Sequence, residues 1–169
     1  MFFLKNPLKK GVTLIEIMLY MGILSIFLVV LTDIFVAILN VRSESEAASA
    51  VEEDGRFILS RLSYDISRAD GVTNPSSIGQ TASPLRIFIG GETYTYSILG
   101  SYFTLTNDQG VNFLNSSETT ISNILFTRIG NASVPGTKDN IKLQFTLTSK
   151  TQKSSGPDTK TFTTTVGRR

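Results

Sequence analysis

The stretch KKGVTLIEIMLYMGILSIFLVVLTDIFVAIL, residues 9–39, decides how the rest of this chain is read. From Ile17 to Thr32 it holds no charged residue, and beyond Asp33 the apolar character resumes through Ile34, Phe35, Val36, Ala37, Ile38 and Leu39. At about 1.5 Å per residue, a helix from Val12 to Leu39 reaches roughly 40 Å, against roughly 30 Å for the hydrocarbon core of a bilayer. Ile, Leu, Val and Phe fall on all sides of that helix, so no stripe is set aside for water, and lipid suits it better than a half-wet protein surface. Lys5, Lys9 and Lys10 precede the run, whereas Arg42 behind it is soon offset by Glu44 and Glu46. The positive-inside bias therefore puts the N-terminal side in the cytoplasm and everything after residue 40 outside. A cleaved secretory signal fits poorly, because the apolar stretch exceeds the usual 7–15 or so residues. The charged segment Arg42–Glu46 also separates it from the small residues Ala48, Ser49 and Ala50.

The chain has 169 residues, room for one ordinary domain or a small domain plus an appendage. It contains no His and no Cys, which removes imidazole bases, thiolate nucleophiles, zinc sites of Cys/His type and disulfides. No phosphate-binding glycine loop is present, and no enzymatic role, catalytic residue, metal or cofactor is expected. The formal charge of +2 becomes −1 once Lys5, Lys9 and Lys10 are set aside, so the basic balance predicts no nucleic-acid partner.

Immediately before the run, Lys9, Lys10, Gly11, Val12, Thr13, Leu14, Ile15 and Glu16 set a basic pair and a glycine ahead of apolar residues and one carboxylate. A charge buried in an apolar span costs about 2.5–3.5 kcal/mol near the centre. Glu16 therefore either meets a cation or sits solvated at the cytoplasmic interface, favoured by the positive end of the helix. In this segment the sequence resembles the type IV pilin-like superfamily. Its members carry a short basic leader ending in glycine, then a mature chain opening with an apolar residue, Thr, Leu, an aliphatic residue and Glu. The resemblance covers the N-terminal part of the chain, to about residue 40. It implies a leader, residues 1–11, carrying Lys5, Lys9 and Lys10, and cleavage between Gly11 and Val12 by a prepilin peptidase. It implies also N-methylation of the new amino group of Val12, and an assembly role for Glu16. In the family's packing, that carboxylate meets the methylated ammonium of a neighbouring subunit, and a wrong offset leaves a charge unpaired. Two positions depart from the pattern: Val12 stands where the family often has Phe or Met, and Asp33 where many major pilins place a kinking Pro. Asp33 reads as an acid near the outer interface, paired to a neighbour, or served by local water, with the interfacial reading the plainest.

Helical periodicity continues past Leu39. Ala47, Val51, Ile58, Leu62, Ile66 and Ala69 recur at helical spacing with Arg56, Arg61 and Arg68 between them, as an amphipathic helix requires. One helix from Val12 to about Ala69 is the economical account, with Gly55 a weak point costing up to about 1 kcal/mol against Ala. Asp70 and Gly71 are candidates for its end. Residues 56–69, RFILSRLSYDISRA, resemble J-type minor pseudopilins of type II secretion and W-type minor pilins. An ordinary amphipathic helix with snorkelling arginines would explain the same spacing.

After Gly71 the vocabulary changes. Asn74, Pro75, Ser76, Ser77 and Gly79 read as a loop. Leu85–Ile89, Gly90-Gly91 and Thr93–Leu99 read as a hairpin with Tyr94, Tyr96 and Ile98 on one face. Tyr102–Thr106, Ile121–Ile129, Ile141–Leu147 and the alternation Phe162, Thr164, Val166 read as further strands, and 150–160 as a hairpin tip. The expected fold is α+β: a long N-terminal helix, transmembrane over 12–40 and amphipathic over 41–70, packed on an antiparallel β-sheet built from 71–169.

Little chemistry is visible in that outer part. Asn107-Asp108 reads as a turn rather than a calcium loop. Lys138, Lys142, Lys150, Lys153, Lys160, Arg168 and Arg169 form a basic set that ordinarily serves solubility and edge protection, so DNA is not an expected partner. The sequons at Asn115 and Asn131 are too common by chance to use. The function expected from the resemblance is that of a minor pilin or pseudopilin in the inner or plasma membrane, later part of an extracytoplasmic filament. Its partners would be other pilin-like subunits, a prepilin peptidase, membrane lipid, and an assembly platform with its ATPase. The alternatives are a DNA-uptake or adhesion filament subunit with a ligand-binding outer domain, and an unprocessed membrane-anchored surface domain.

Overall fold

A computed structural model describes residues 11–130, 138–151, 153 and 156–169. The chain divides into two compact units, Met1–Val41 and Arg42–Arg169. One helix, α1 (Leu14–Ser67), contributes to both.

In the first unit, α1 begins on a cap. The Glu16 amide approaches Thr13 Oγ1 at 3.4 Å and the Thr13 carbonyl at 3.1 Å. Thr-x-x-Glu is the spacing at which a hydroxyl can meet the otherwise orphaned amides of a first turn. From there to Val41 every residue is exposed, apolar ones included: Ile15, Ile26 and Phe35 keep 75%, 69% and 62% of their surface. Ser25 and Thr32 donate their hydroxyls to the carbonyls of Met21 and Leu28, each at 2.8 Å. Spent within the helix, those groups need no outside partner, as an apolar surrounding requires.

In the second unit the apolar spacing of α1 is realised as burial. Ala47, Val51, Gly55, Ile58, Leu62 and Ile66 are buried, one turn after another. Nine strands follow: β1 (Gly71–Asn74), β2 (Thr81–Ala82), β3 (Leu85–Ile89), β4 (Glu92–Leu99), β5 (Tyr102–Asn107), β6 (Gly110–Phe113), β7 (Thr119–Ile129), β8 (Asn140–Ser149) and β9 (Thr159–Gly167). The expected alternations hold where one face is covered. In β8, Ile141, Leu143, Phe145 and Leu147 are all buried, because successive side chains of a strand point to opposite faces.

The single sheet expected from the sequence is instead two antiparallel sheets, β1-β3-β4-β5-β6 and β2-β7-β8-β9. The break falls between β6 and β7, where Asn115 is buried and takes the place of a continuing ladder. Its Oδ1 accepts from the Phe103 amide at 2.7 Å, and its Nδ2 donates to the Thr119 carbonyl at 3.1 Å. With its side chain so engaged, Asn115 is no exposed glycosylation acceptor; the second sequon, Asn131-Ala132-Ser133, lies outside the described residues. Both sheets and α1 share one core: Val51, Ile58, Leu62 and Ile66 join Leu85, Ile87, Tyr96 and Phe103 of the first sheet and Phe126, Leu143, Phe145 and Phe162 of the second.

Two local expectations, the helix end and Gly55, are corrected, and one loop is bounded more closely. The helix ends at Ser67, short of Asp70 and Gly71, because the Asp70 amide already donates to the Phe88 carbonyl at 2.8 Å and Gly71 opens β1 beside β3. The loop read from Asn74 to Gly79 is bracketed by two strands, β1 and β2, too short for a periodic signal. Gly55 is a packing position: a Cβ there would overlap the tip of the Phe162 ring.

Candidate functional site

Two sets of residues carry the chemistry of this chain, one in each unit. In the first, Gly11, Val12 and Thr13 lie ahead of the helix with no secondary structure, and Val12 keeps 64% of its surface. The Gly11–Val12 bond is thus outside the hydrogen-bonded turns, in backbone that a peptidase can engage without unwinding a helix. Glu16 follows one turn later, exposed, and its Oε1 accepts from the Tyr20 hydroxyl at 3.0 Å. That bond satisfies one carboxylate oxygen from four residues along and leaves the group open to a cation. Sequence reasoning singled out Gly11, Val12 and Glu16 but missed Tyr20 and the capping role of Thr13; the Thr-x-x-Glu and i, i+4 spacings were the available signals. Lys5, Lys9 and Lys10 lie outside the described residues. Asp33 is exposed and makes no hydrogen bond or ion pair among the described residues.

In the second unit, Asp65 is wholly buried, and its Oδ2 accepts from Arg61 Nε at 2.7 Å and from the Tyr96 hydroxyl. Its Oδ1 lies 3.0 Å from Arg68 Nη2, an ion pair whose angle falls short of a hydrogen bond. Burial first, and then the Asp65 carboxylate, push the Tyr96 phenol well above its ordinary pKa. The Arg-x3-Asp-x2-Arg spacing read as snorkelling in the sequence, yet here the carboxylate is the anchor and the arginines close over it. Two partly exposed cations share one buried anion, so the cluster keeps one positive charge in excess.

The basic set named from the sequence does not converge. Lys160 pairs with Glu52, whose carboxyl it holds below the ordinary range. Lys153 pairs with Asp158 at 3.5 Å, Arg168 lies 3.8 Å from Asp139, and Lys150 donates to the Ser117 carbonyl at 2.7 Å. Asn107 Oδ1 accepts from the Gln109 amide at 3.2 Å, the geometry of a turn. No group of three or more acidic side chains suited to a metal occurs among the described residues.

Residues 6–32 match the family model of the prokaryotic N-terminal methylation motif, which is the type IV pilin and pseudopilin signature. The match spans the Gly11–Val12 bond, Thr13, Glu16 and the apolar run as far as Thr32. The α+β architecture, a long N-terminal helix packed on antiparallel sheets, is pilin-like. No curated protein and no solved structure matches the chain.

Proposed function

We propose that this chain, which carries the pilin methylation signature, is a minor pilin or pseudopilin. It is held in the inner or plasma membrane by residues 12–40 and cut after Gly11. Its partners are then other pilin-like subunits, and its destination is a filament of the type IV pilus or type II secretion kind. The supporting observation is the coincidence, within a few residues, of a Gly11–Val12 bond outside any helix or strand, a capped helix start, a lone carboxylate and an apolar helix that nothing among the described residues covers. Apolar surface on every side of a helix is stable in lipid or against like helices. The first state serves before assembly and the second after it. The work is mechanical, and the energy comes from the ATPase of the assembly platform.

In this reading Glu16 selects the register of an arriving subunit by pairing with the N-methylated Val12 ammonium of its neighbour. Tyr20 holds one oxygen, and the other meets the cation. Mass spectrometry of the chain from cells containing a prepilin peptidase tests the processing step. A mature chain beginning with N-methyl Val12 supports it, whereas an intact leader shows an uncut anchored surface protein. Glu16→Ala should insert in the membrane at normal levels yet fail to enter filaments; normal incorporation of that variant would remove the register role.

A further inference from the structure

Between α1 and the first sheet lies a cavity of ≈380 Å³, within the range of sites that take small organic ligands. Its chemistry is set by Phe57 and Arg61 of α1, Tyr94 of β4, and Asn107, Gln109 and Asn112 of the β5–β6 hairpin. All of them belong to the unit formed by residues 42–169. Hydropathy accounts for Tyr94, which packs against the core, but not for the rest. Phe57 stays 54% exposed, and among the described residues the side-chain amides of Gln109 and Asn112 make no hydrogen bond.

The cation in this cavity is fixed in place. Arg61 Nε is held by the buried carboxylate of Asp65 at 2.7 Å, with the Tyr96 hydroxyl beside the same guanidinium, and the side chain keeps 37% of its surface. Arg68 leans on the same carboxylate, with its guanidinium carbon 5.9 Å from the centre of the Tyr94 ring. Among the described residues no carboxylate lines the cavity: Asp65 lies behind Arg61 without exposed surface, and Asp108 is not among the lining residues. A guanidinium held from behind offers a planar fork to an incoming carboxylate at little cost in lost side-chain freedom. Amides placed together can each donate and accept, which suits neighbouring hydroxyls. The rings of Phe57 and Tyr94 supply apolar surface for the face of a saccharide ring.

We propose that this cavity binds an acidic saccharide, with its carboxylate on Arg61, its hydroxyls on the amides of Asn107, Gln109 and Asn112, and its ring against Phe57 and Tyr94. An acidic peptide would satisfy Arg61 but has no vicinal hydroxyls for the three amides. The site would give the outer part of the chain a ligand of its own, and it does not depend on filament assembly.

The full-length chain in detergent micelles tests this by calorimetric titration with trigalacturonic acid, alongside maltotriose and triglutamate. Saturable binding of trigalacturonic acid is expected, about tenfold or more tighter than either comparator. Phe57→Ala and Asn112→Ala, both at exposed positions, should each weaken it about fivefold with the unfolding temperature unchanged. Arg61→Gln should remove the preference for the acidic sugar over maltotriose, and Lys142→Ala, on β8 of the other sheet, should change nothing. Absence of saturable binding by trigalacturonic acid, equal binding of triglutamate, or equal binding by the Phe57 and Asn112 variants would each overturn the proposal. Because the titration needs neither cleavage nor assembly, its failure leaves the pilin reading standing, and an uncut chain leaves this one standing.

Discussion

Gly55 shows how a single residue reads differently in one dimension and in three. In an isolated helix, Gly55→Ala gains about 1 kcal/mol from propensity. Here the added methyl meets the Phe162 ring, which stacks on Phe145 with centroids 5.3 Å apart and has little room to retreat. Overpacking of this kind costs about 1–3 kcal/mol, so Gly55→Ala should lower the unfolding temperature of the full chain. In a Phe162→Ala background the same change should raise it, and a thermal double-mutant cycle reads the reversal. Tyr96 gives a prediction in pH. Its folded pKa is raised by burial and by Asp65, so the folded state keeps a proton that an unfolded phenol loses near pH about 10. The stabilisation is therefore complete below that pH and declines as pH climbs above it. Tyr96→Phe should flatten the alkaline fall in denaturant midpoint, and an unaltered slope would show that Tyr96 is not its source.

At the scale of elements, the outer part of α1 is tied to the strands by side chains that a hydropathy pattern leaves out. Asp54 Oδ2 accepts from the Ser116 amide at 3.0 Å, from the Ser116 hydroxyl at 2.8 Å and from the Thr119 hydroxyl. It thereby pins the turn that separates the two sheets. Removing an acceptor that serves several donors costs about 1–3 kcal/mol. Asp54→Ala should accordingly speed amide hydrogen exchange at Ser116–Ile121 more than in β4 or β8. Uniform acceleration across all strands would instead mean that the turn and the core open together. On the far side of the same helix, the Glu52–Lys160 pair holds β9, but with both side chains partly exposed it contributes little.

At the scale of the whole molecule, every buried residue of the shared core among the described residues lies from Val51 to Phe162. Residues 42–169 should therefore remain folded when 1–41 are deleted, and should move from the membrane to the soluble fraction with a cooperative thermal transition. Failure to unfold cooperatively would show that the first unit stabilises the second. The apolar run, the candidate bond at Gly11–Val12, the lone Glu16, the helical stripe and most strands were legible in the sequence. They depend on periodicity and on neighbours within a few residues, which the order of amino acids fully specifies. The burial of Asp65, the need for glycine at position 55, the division into two sheets at Asn115 and the cavity beside Arg61 were not legible. Each joins residues brought together only by packing: Asp65 with Tyr96, Gly55 with Phe162, Asn115 with Phe103, Arg61 with Asn112. Local pattern determined which segments are greasy, helical or extended; tertiary structure decided which polar groups those segments enclose, because a buried charge or a missing methyl takes its meaning from atoms distant along the chain.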